Sequence, residues 1–509
     1  MNFLEGKVWL VGAGPGDVEL LTVKGRRLLE QADTVVYDHL IGSGVLGYAS
    51  PEAELIDVGK SGGHHLIPQE EIERILIEKA LEGKRVVRLK GGDPFLFGRG
   101  GEEMEALMSR EIPCEPVPGV TSALAVPAFA GIPVTHRDYA SSLHIITAHK
   151  RGGAPINYDI LARLEGTLVF LMGASKLGEI CRRLTEAGMN ESTPVAVVEW
   201  GTTARQRRVT GVLADLADLM DRVKSEFASP SIRSPALLVV GRVVTLAEAL
   251  DWRARLPLGG KRVLVCQASQ GNKNGRLTAL LRSRGAEVLE ACPSRMEATL
   301  DSLPALSGYG WFVFTSTAGV EFFFERLKRD RRDIREIGDA KIAAVGPATK
   351  DAIESHGLRV DLIPPLYSGA ALGESLLREY QSSRQTPPQR LLLLQALNSA
   401  PDLARILRNG GLSFDEMPLY QTLPAISRAD LGDVDAVAFT CASSVLNFAA
   451  LCPDARVKAV CIGEQTGKTA REAGYEVKVA KKATLEDLAD AVEILLSGDC
   501  SMSLTYSPS

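Results

Sequence analysis

The chain has 509 residues, room for roughly three to four folded units at about 150 residues each. Its 45% hydrophobic and 24% charged residues exclude a disordered or fibrous protein. The near balance of 58 basic against 63 acidic side chains, net −5, excludes a surface that is a nucleic-acid footprint throughout.

In chain order, short β-type runs alternate with helical stretches. The runs are Val8 to Val11, Val35 to Tyr37, Val86 to Leu89, Leu168 to Met172, Ala236 to Val240, Val263 to Cys266, Phe312 to Phe314, Ile342 to Val345, Leu391 to Leu394 and Ala436 to Phe439. This alternation predicts an α/β architecture with largely parallel sheets. The periodicity breaks at Asp251 to Gly260, where Arg253, Arg255, Pro257, Gly259 and Gly260 precede a fresh strand, so the main boundary is placed near residue 258. Each half carries its own motifs and is expected to fold by itself. In the second half Gly346, Thr349, Gly357 and Val360 recur 117 positions on as Gly463, Thr466, Gly474 and Val477, which predicts two similar lobes with a ligand between them. The polar, aperiodic residues 498–509 read as a disordered tail.

The eight cysteines include no CxxC pair, excluding a zinc ribbon or disulfide framework. His64 and His65 are adjacent and lack an evident third ligand, so no metal is expected. No apolar run approaches the length of a membrane span, and the first residues lack a signal-peptide pattern. The chain reads as soluble and cytoplasmic, with neither membrane nor nucleic acid as a partner.

Two glycine-rich strings stand out. Gly12-Ala13-Gly14-Pro15-Gly16-Asp17 follows the first strand, but its third glycine comes too early for a dinucleotide fingerprint and Pro15 stiffens the turn. Five glycines crowd the segment from Arg88 to Glu103, where backbone must approach something closely. No GxxxxGK[ST] phosphate loop occurs, and glycine-lined strand ends beside a carboxylate suit a ligand that carries its own cation.

These strings, GAGPGD at 12–17 and RLKGGDPFLFGRGGEE at 88–103, occur in order with YDHL at 37–40, VGKSGGHH at 58–65, PQEEI at 68–72, VPGVTSA at 117–123, GIPVTHRDYAS at 131–141 and LVFLMG at 168–173. Over residues 5 to 250 the chain thereby resembles the uroporphyrinogen-III C-methyltransferases of the tetrapyrrole methylase family. The resemblance implies two α/β lobes, about 1–137 and 138–250, and S-adenosyl-L-methionine as the cofactor. It also implies a homodimer formed through this half. Cofactor contacts fall on Pro15, Gly91, Gly92, Asp93, Leu96, Thr121, Ser122, Met172 and Gly201, the proton acceptor on Asp38 and the proton donor on Lys60. An electron-rich pyrrole carbon attacks a methyl group directly, so charge management and proton removal suffice. His39 stands where the family usually has Arg, which weakens one clamp on a substrate with many carboxylates.

Residues 261 to about 496 resemble uroporphyrinogen-III synthases through KRVLVCQ at 261–267, FTSTAGVEFFFERL at 314–327, KIAAVGPAT at 341–349, MPLYQT at 417–422, AVAFTCASSV at 436–445 and VCIGEQTGKTA at 460–470. That resemblance implies a two-lobed α/β fold, one lobe from about 260–292 with 423–497 and the other from about 294–421. The implied reaction closes hydroxymethylbilane into uroporphyrinogen III, mainly by positioning the substrate. The residue matched to departure of the leaving hydroxyl is Tyr420. Thr315, Ser316, Thr349, Gly463 and Thr466 are matched to substrate binding, their helix N-termini hosting carboxylates. Gln267 and Gln395 replace cations common in the family, and Cys441 with Ala442 replaces hydroxyl residues.

Together the resemblances imply a bifunctional enzyme that makes uroporphyrinogen III and methylates it to precorrin-2, feeding sirohaem or cobalamin synthesis. The alternatives are a methylase of the same fold acting on RNA or protein, and a second half that only holds tetrapyrrole.

Overall fold

A computed structural model describes residues 6–38, 40–42, 44–50, 52–59, 67–148, 155–215, 234–266, 275–291, 294–299, 302–382, 390–397, 399–424, 434–453 and 455–497. His39, Lys60, His64, His65, Gln267 and the tail 498–509 lie outside the described residues. The chain forms two compact units, one of Met1–Ala291 with Ser427–Ser509 and the other of Cys292–Ile426. The fold is α/β with parallel-rich sheets.

Within the first unit, β1 (Lys7–Gly12), β2 (Thr34–Tyr37), β3 (Glu54–Asp57), β4 (Arg85–Lys90) and β5 (Cys114–Val117) form a sheet of order β3-β2-β4-β1-β5, every pair parallel. Consecutive valines and leucines suit strands covered on both faces. Val11, Val35 and Val87 pack on one side and Leu10, Val36 and Val86 on the other, all fully buried. Next come β6 (Leu143–Thr147), β7 (Thr167–Leu171), β8 (Pro194–Glu199), β9 (Arg207–Val212) and β10 (Ala236–Val240), in the order β6-β7-β10-β8-β9. Only β6 and β7 run parallel there. The last strand enters antiparallel between β7 and β8, and β8 and β9 pair as neighbours in the antiparallel sense. The alternation rule for parallel sheets does not foresee this mixed sheet, because apolar period marks burial and not strand direction.

The unit continues with β11 (Arg262–Cys266) and β12 (Glu287–Ala291). The segment joining them to the methylase-like lobes is packed. Trp252 donates from Nε1 to the Ala128 carbonyl (3.1 Å) and sets its ring edge-on against Phe129, and Leu258 is fully buried among Val263, Leu281 and Val288.

The second unit holds β13 (Ser294–Ala298), β14 (Tyr309–Phe314), β15 (Lys341–Ala344), β16 (Arg390–Ala396) and β17 (Phe414–Pro424), ordered β13-β17-β16-β14-β15 with only the β13–β17 pair antiparallel. The first unit is completed by β18 (Ala436–Phe439), β19 (Lys458–Cys461) and β20 (Glu476–Val479). Their all-parallel sheet is β12-β11-β18-β19-β20. Among the described residues no helix is long and apolar enough to cross a membrane.

Candidate functional site

Three turns at the carboxyl ends of β1, β4 and β5 close on one another through backbone. Gly14 and Gly92, both left-handed at φ 77° and 68°, exchange two hydrogen bonds: Gly92 N–H to Gly14 O (2.7 Å) and Gly14 N–H to Gly92 O (3.2 Å). A side chain on Gly119 would reach within 2.2 Å of the Gly92 carbonyl oxygen, so glycine is required by contact. Gly92 itself differs, because a Cβ there would meet nothing closer than Ser122 N (3.9 Å) and Thr121 Cα (4.0 Å). A Cβ there would thus be in ordinary contact with the start of the helix Ser122–Phe129, which is capped by Thr121 Oγ1 accepting from Ala123 N–H.

The Asp93 carboxylate is engaged by backbone. Oδ1 accepts from the Phe95 and Leu96 N–H groups (2.8 and 3.1 Å) and Oδ2 from Gly119 N–H (3.0 Å), so the side chain ties two turns together. Gly201 packs against the same helix, with Val126 only 2.3 Å from where a Cβ would stand. Met172 follows β7 with φ 56° and is 47% exposed. Pro15 and Leu96 are half-buried on their loops.

Asp38 follows β2. Its Oδ1 accepts from Leu40 N–H (3.1 Å) and its Oδ2 lies 3.6 Å from Arg88 Nη2. Leu40 in turn abuts Gly91, where a Cβ would come within 2.8 Å of it. Behind Asp38 is a charge network that the sequence reading missed. Glu103, fully buried, accepts at Oε1 from Arg88 Nε (3.2 Å), Lys90 Nζ (2.8 Å) and Gln69 Nε2 (3.2 Å). Burial, and secondarily the Arg88 guanidinium, lowers the Lys90 pKa, with Glu103 and Asp38 opposing that shift. The signal was present: two cations at alternate positions in the inner, apolar part of a strand must face a buried carboxylate, and Glu103 lies in the following helix.

In the second unit, Ser316 caps the helix Thr317–Arg329 by accepting from Gly319 N–H (3.0 Å). Its hydroxyl is also 3.0 Å from that of Tyr420. Tyr420, 7% exposed, stacks on Phe322 at 5.1 Å and belongs to the core, so its ring is packed while its hydroxyl is engaged by Ser316. Thr315 is joined to Leu394 O through its N–H (3.3 Å). Gln395 is buried and donates to Glu416 Oε2 (2.9 Å), a neutral donor beside a carboxylate.

The sequence repeat has matching local geometry in both units. Gly346 opens the helix Pro347–Ser355 and Gly463 opens Glu464–Glu472, each with extended backbone and no side-chain cap. Thr349 and Thr466 occupy the same buried third helical position, and Gly357 and Gly474 end the helices at φ 85° and 86°. Cys441 opens a further helix, again without capping it. Uncapped N-terminal N–H groups carry partial positive charge and accept anions.

Glycine-walled turns beside a held carboxylate, and uncapped helix N-termini repeated on two α/β lobes, are arrangements suited to holding small molecules. Residues 7–217 match the family Tetrapyrrole (Corrin/Porphyrin) Methylases and residues 275–490 the family Uroporphyrinogen-III synthase HemD. The chain is 39% identical over 503 residues to Porphyrin biosynthesis protein HemD of Ruminiclostridium josui, covering 95% of this chain and 97% of that one. It is 41% identical over 371 residues to Uroporphyrinogen-III C-methyltransferase of Bacillus subtilis (strain 168), covering 72% and 74%. Among solved structures, uroporphyrin-III C-methyl transferase from Thermus thermophilus complexed with S-adenosylhomocysteine is 41% identical, covering 47% of this chain and all of that one, with a TM-score of 0.41. The chain belongs to the tetrapyrrole methylases through its first half and to the uroporphyrinogen-III synthases through its second.

Proposed function

We propose that the chain is a bifunctional enzyme of tetrapyrrole biosynthesis. Its second half cyclises hydroxymethylbilane to uroporphyrinogen III, and its first half C-methylates that product to precorrin-2 with S-adenosyl-L-methionine as donor. The observation that carries the reading is the close backbone approach of the Gly14, Gly92 and Gly119 turns, bordered by the Asp38–Leu40 turn. The donor supplies an activated methyl group. Gly91, Gly92, Thr121, Ser122, Met172 and Gly201 would hold it, Pro15 and Leu96 would flank it, and Asp93 would fix the turns. Asp38 takes the proton that the macrocycle loses elsewhere once a substituted ring carbon has accepted the methyl group and become quaternary, while Arg88, itself anchored on Glu103, holds the carboxylate in place. Lys60 is assigned proton donation by the same resemblance.

In the second half Thr315, Ser316, Thr349, Gly463 and Thr466 receive substrate carboxylates, and the Tyr420 hydroxyl assists departure of the leaving hydroxyl. The substrates are small tetrapyrroles, the product serves sirohaem or cobalamin formation, and the enzyme works as a cytoplasmic homodimer paired through its methyltransferase half.

The test is to incubate the protein with hydroxymethylbilane, with and without S-adenosylmethionine, and to identify the products. Isomer III alone without donor, and a dimethylated product with it, are expected. Isomer I, which forms spontaneously, would leave the second half a holding module.

A further inference from the structure

The turn that carries Gly201 is strained. Trp200 and Thr202, on either side of it, adopt left-handed φ of 50° and 70°, a conformation that non-glycine residues, above all β-branched ones, avoid. Such backbone persists only where its surroundings over-determine it. Part of the hold is local: Trp200 N–H donates to Pro235 O (2.9 Å) and Thr202 N–H to Gln206 Oε1 (2.8 Å). The rest comes from beyond residue 250. Arg253 Nη2 donates to Thr203 O (3.0 Å), and Ala204 N–H donates to Glu287 Oε2 (2.6 Å). Glu287 opens β12 of the synthase half and is itself fixed by Arg262, whose Nη2 donates to its Oε1 at 2.8 Å.

The same turn reaches the first glycine-rich loop. Thr202 Oγ1 accepts from Asp17 N–H (3.0 Å), and a side chain on Gly16 would stand 2.9 Å from that oxygen. The Asp17 carboxyl is partly buried, which raises its pKa, and it feels Arg282 and Arg253 as favourable charges and Glu287 as an unfavourable one. Synthase-lobe and joining-segment charges therefore stand directly behind both the Gly201 turn and the Gly12–Asp17 loop.

We propose that Glu287 of the synthase half and Arg253 of the joining segment are positioning residues for the methyl donor, holding the Trp200–Arg205 turn in the strained form that presents Gly201. The affinity of the methyltransferase half for its donor thus depends on a side chain of the other enzyme. This rests on the reading that the Gly201 turn and the glycine-rich loops bind the donor.

The experiment uses the full chain and S-adenosylhomocysteine as probe, by titration calorimetry. Glu287→Ala is expected to raise Kd about tenfold, the worth of a charged hydrogen bond. Glu287→Gln, which keeps an oxygen for Ala204, is expected to recover most of that loss. Arg253→Ala leaves the Arg262–Glu287 pair intact, so it stands in if Glu287→Ala does not fold, and it is expected to raise Kd about threefold. In steady-state assays the KM for the donor should rise while the KM for uroporphyrinogen III holds. General destabilisation would instead lower the binding stoichiometry and kcat at unchanged Kd. Parent affinity in folded Glu287→Ala and Arg253→Ala overturns the proposal, as does a loss in Glu287→Ala that Glu287→Gln does not relieve. Failure of the underlying reading looks different: Gly92→Val would then bind the probe as the parent does.

Discussion

The turns at Gly14, Gly92 and Gly119 meet through main-chain atoms, whereas Ser316 and Tyr420 meet through hydroxyls carried by a helix cap and a core strand. The two regions are built by opposite means. A site made of backbone demands residues without a Cβ at particular places, and that demand leaves long glycine-rich strings. A site made of helix N-termini and scattered hydroxyls demands only an N-terminal turn at each point, which many sequences satisfy. The difference explains why the first half announces itself in contiguous motifs and the second in short, loose ones.

The comparison breaks most readily at Gly92. A valine there combines an unfavourable φ with a branched side chain facing Thr121 and Ser122, and the expected outcome is loss of measurable S-adenosylhomocysteine binding by calorimetry. Unchanged affinity would mean that backbone approach is not what this turn provides.

Asp38→Asn keeps an oxygen for the Leu40 N–H but cannot take up a proton. Methylation should slow by about 10²–10⁴, the usual worth of a positioned base, with donor affinity near that of the parent. Rate measurements on added uroporphyrinogen III decide it, and a parent rate would remove Asp38 as the base.

For the second half the corresponding change is Tyr420→Phe, which leaves the ring stacked on Phe322 and removes one hydrogen bond. Stability should fall by about 1 kcal/mol in urea denaturation, and formation of isomer III should slow by about tenfold. A stability loss with an unaltered rate would confine the hydroxyl to a structural role.

The smallest effect concerns Glu115, whose carboxylate receives Lys24, Lys7 (2.6 Å) and the Trp9 Nε1–H (3.2 Å). The Lys24 and Lys7 ammonium groups hold its pKa down at about 2. A carboxylate with a depressed folded pKa adds stability above its ordinary range, and that contribution fades as pH falls from about 4.5 toward 2. Glu115→Gln should therefore differ little from the parent at pH 3 and be slightly less stable at pH 7, because an exposed pair is largely screened. Urea midpoints at the two pH values check the sign.

Strand positions were legible because apolar runs follow from burial: Val8 to Val11, Val86 to Leu89 and Leu391 to Leu394 all lie within strands. The half-exposed edge strand Glu54–Asp57 and the antiparallel Arg207–Val212 went unread, since neither carries a long apolar run. Repeat residues Gly346 and Gly463, with Thr349 and Thr466, were placed correctly at equivalent helix starts. What a motif cannot carry is the partner of each side chain. Asp93 stood in the sequence beside a ligand, yet its carboxylate closes the Gly119 turn. Glu103 stood in a string of glycines and acids, yet it neutralises Arg88 and Lys90 inside the core.

By itself the sequence determined the α/β class and the turns where backbone must come close, because those depend on local period and on the absence of a Cβ. Tertiary structure alone decided that β10 inserts antiparallel between β7 and β8, that Asp38 leans on a buried charge network, and that Glu287 reaches Ala204 across 83 positions of sequence. Each of these is a long-range pairing of polar groups removed from water, where the need for a partner is strict but nothing in the neighbouring residues says which partner the fold will supply.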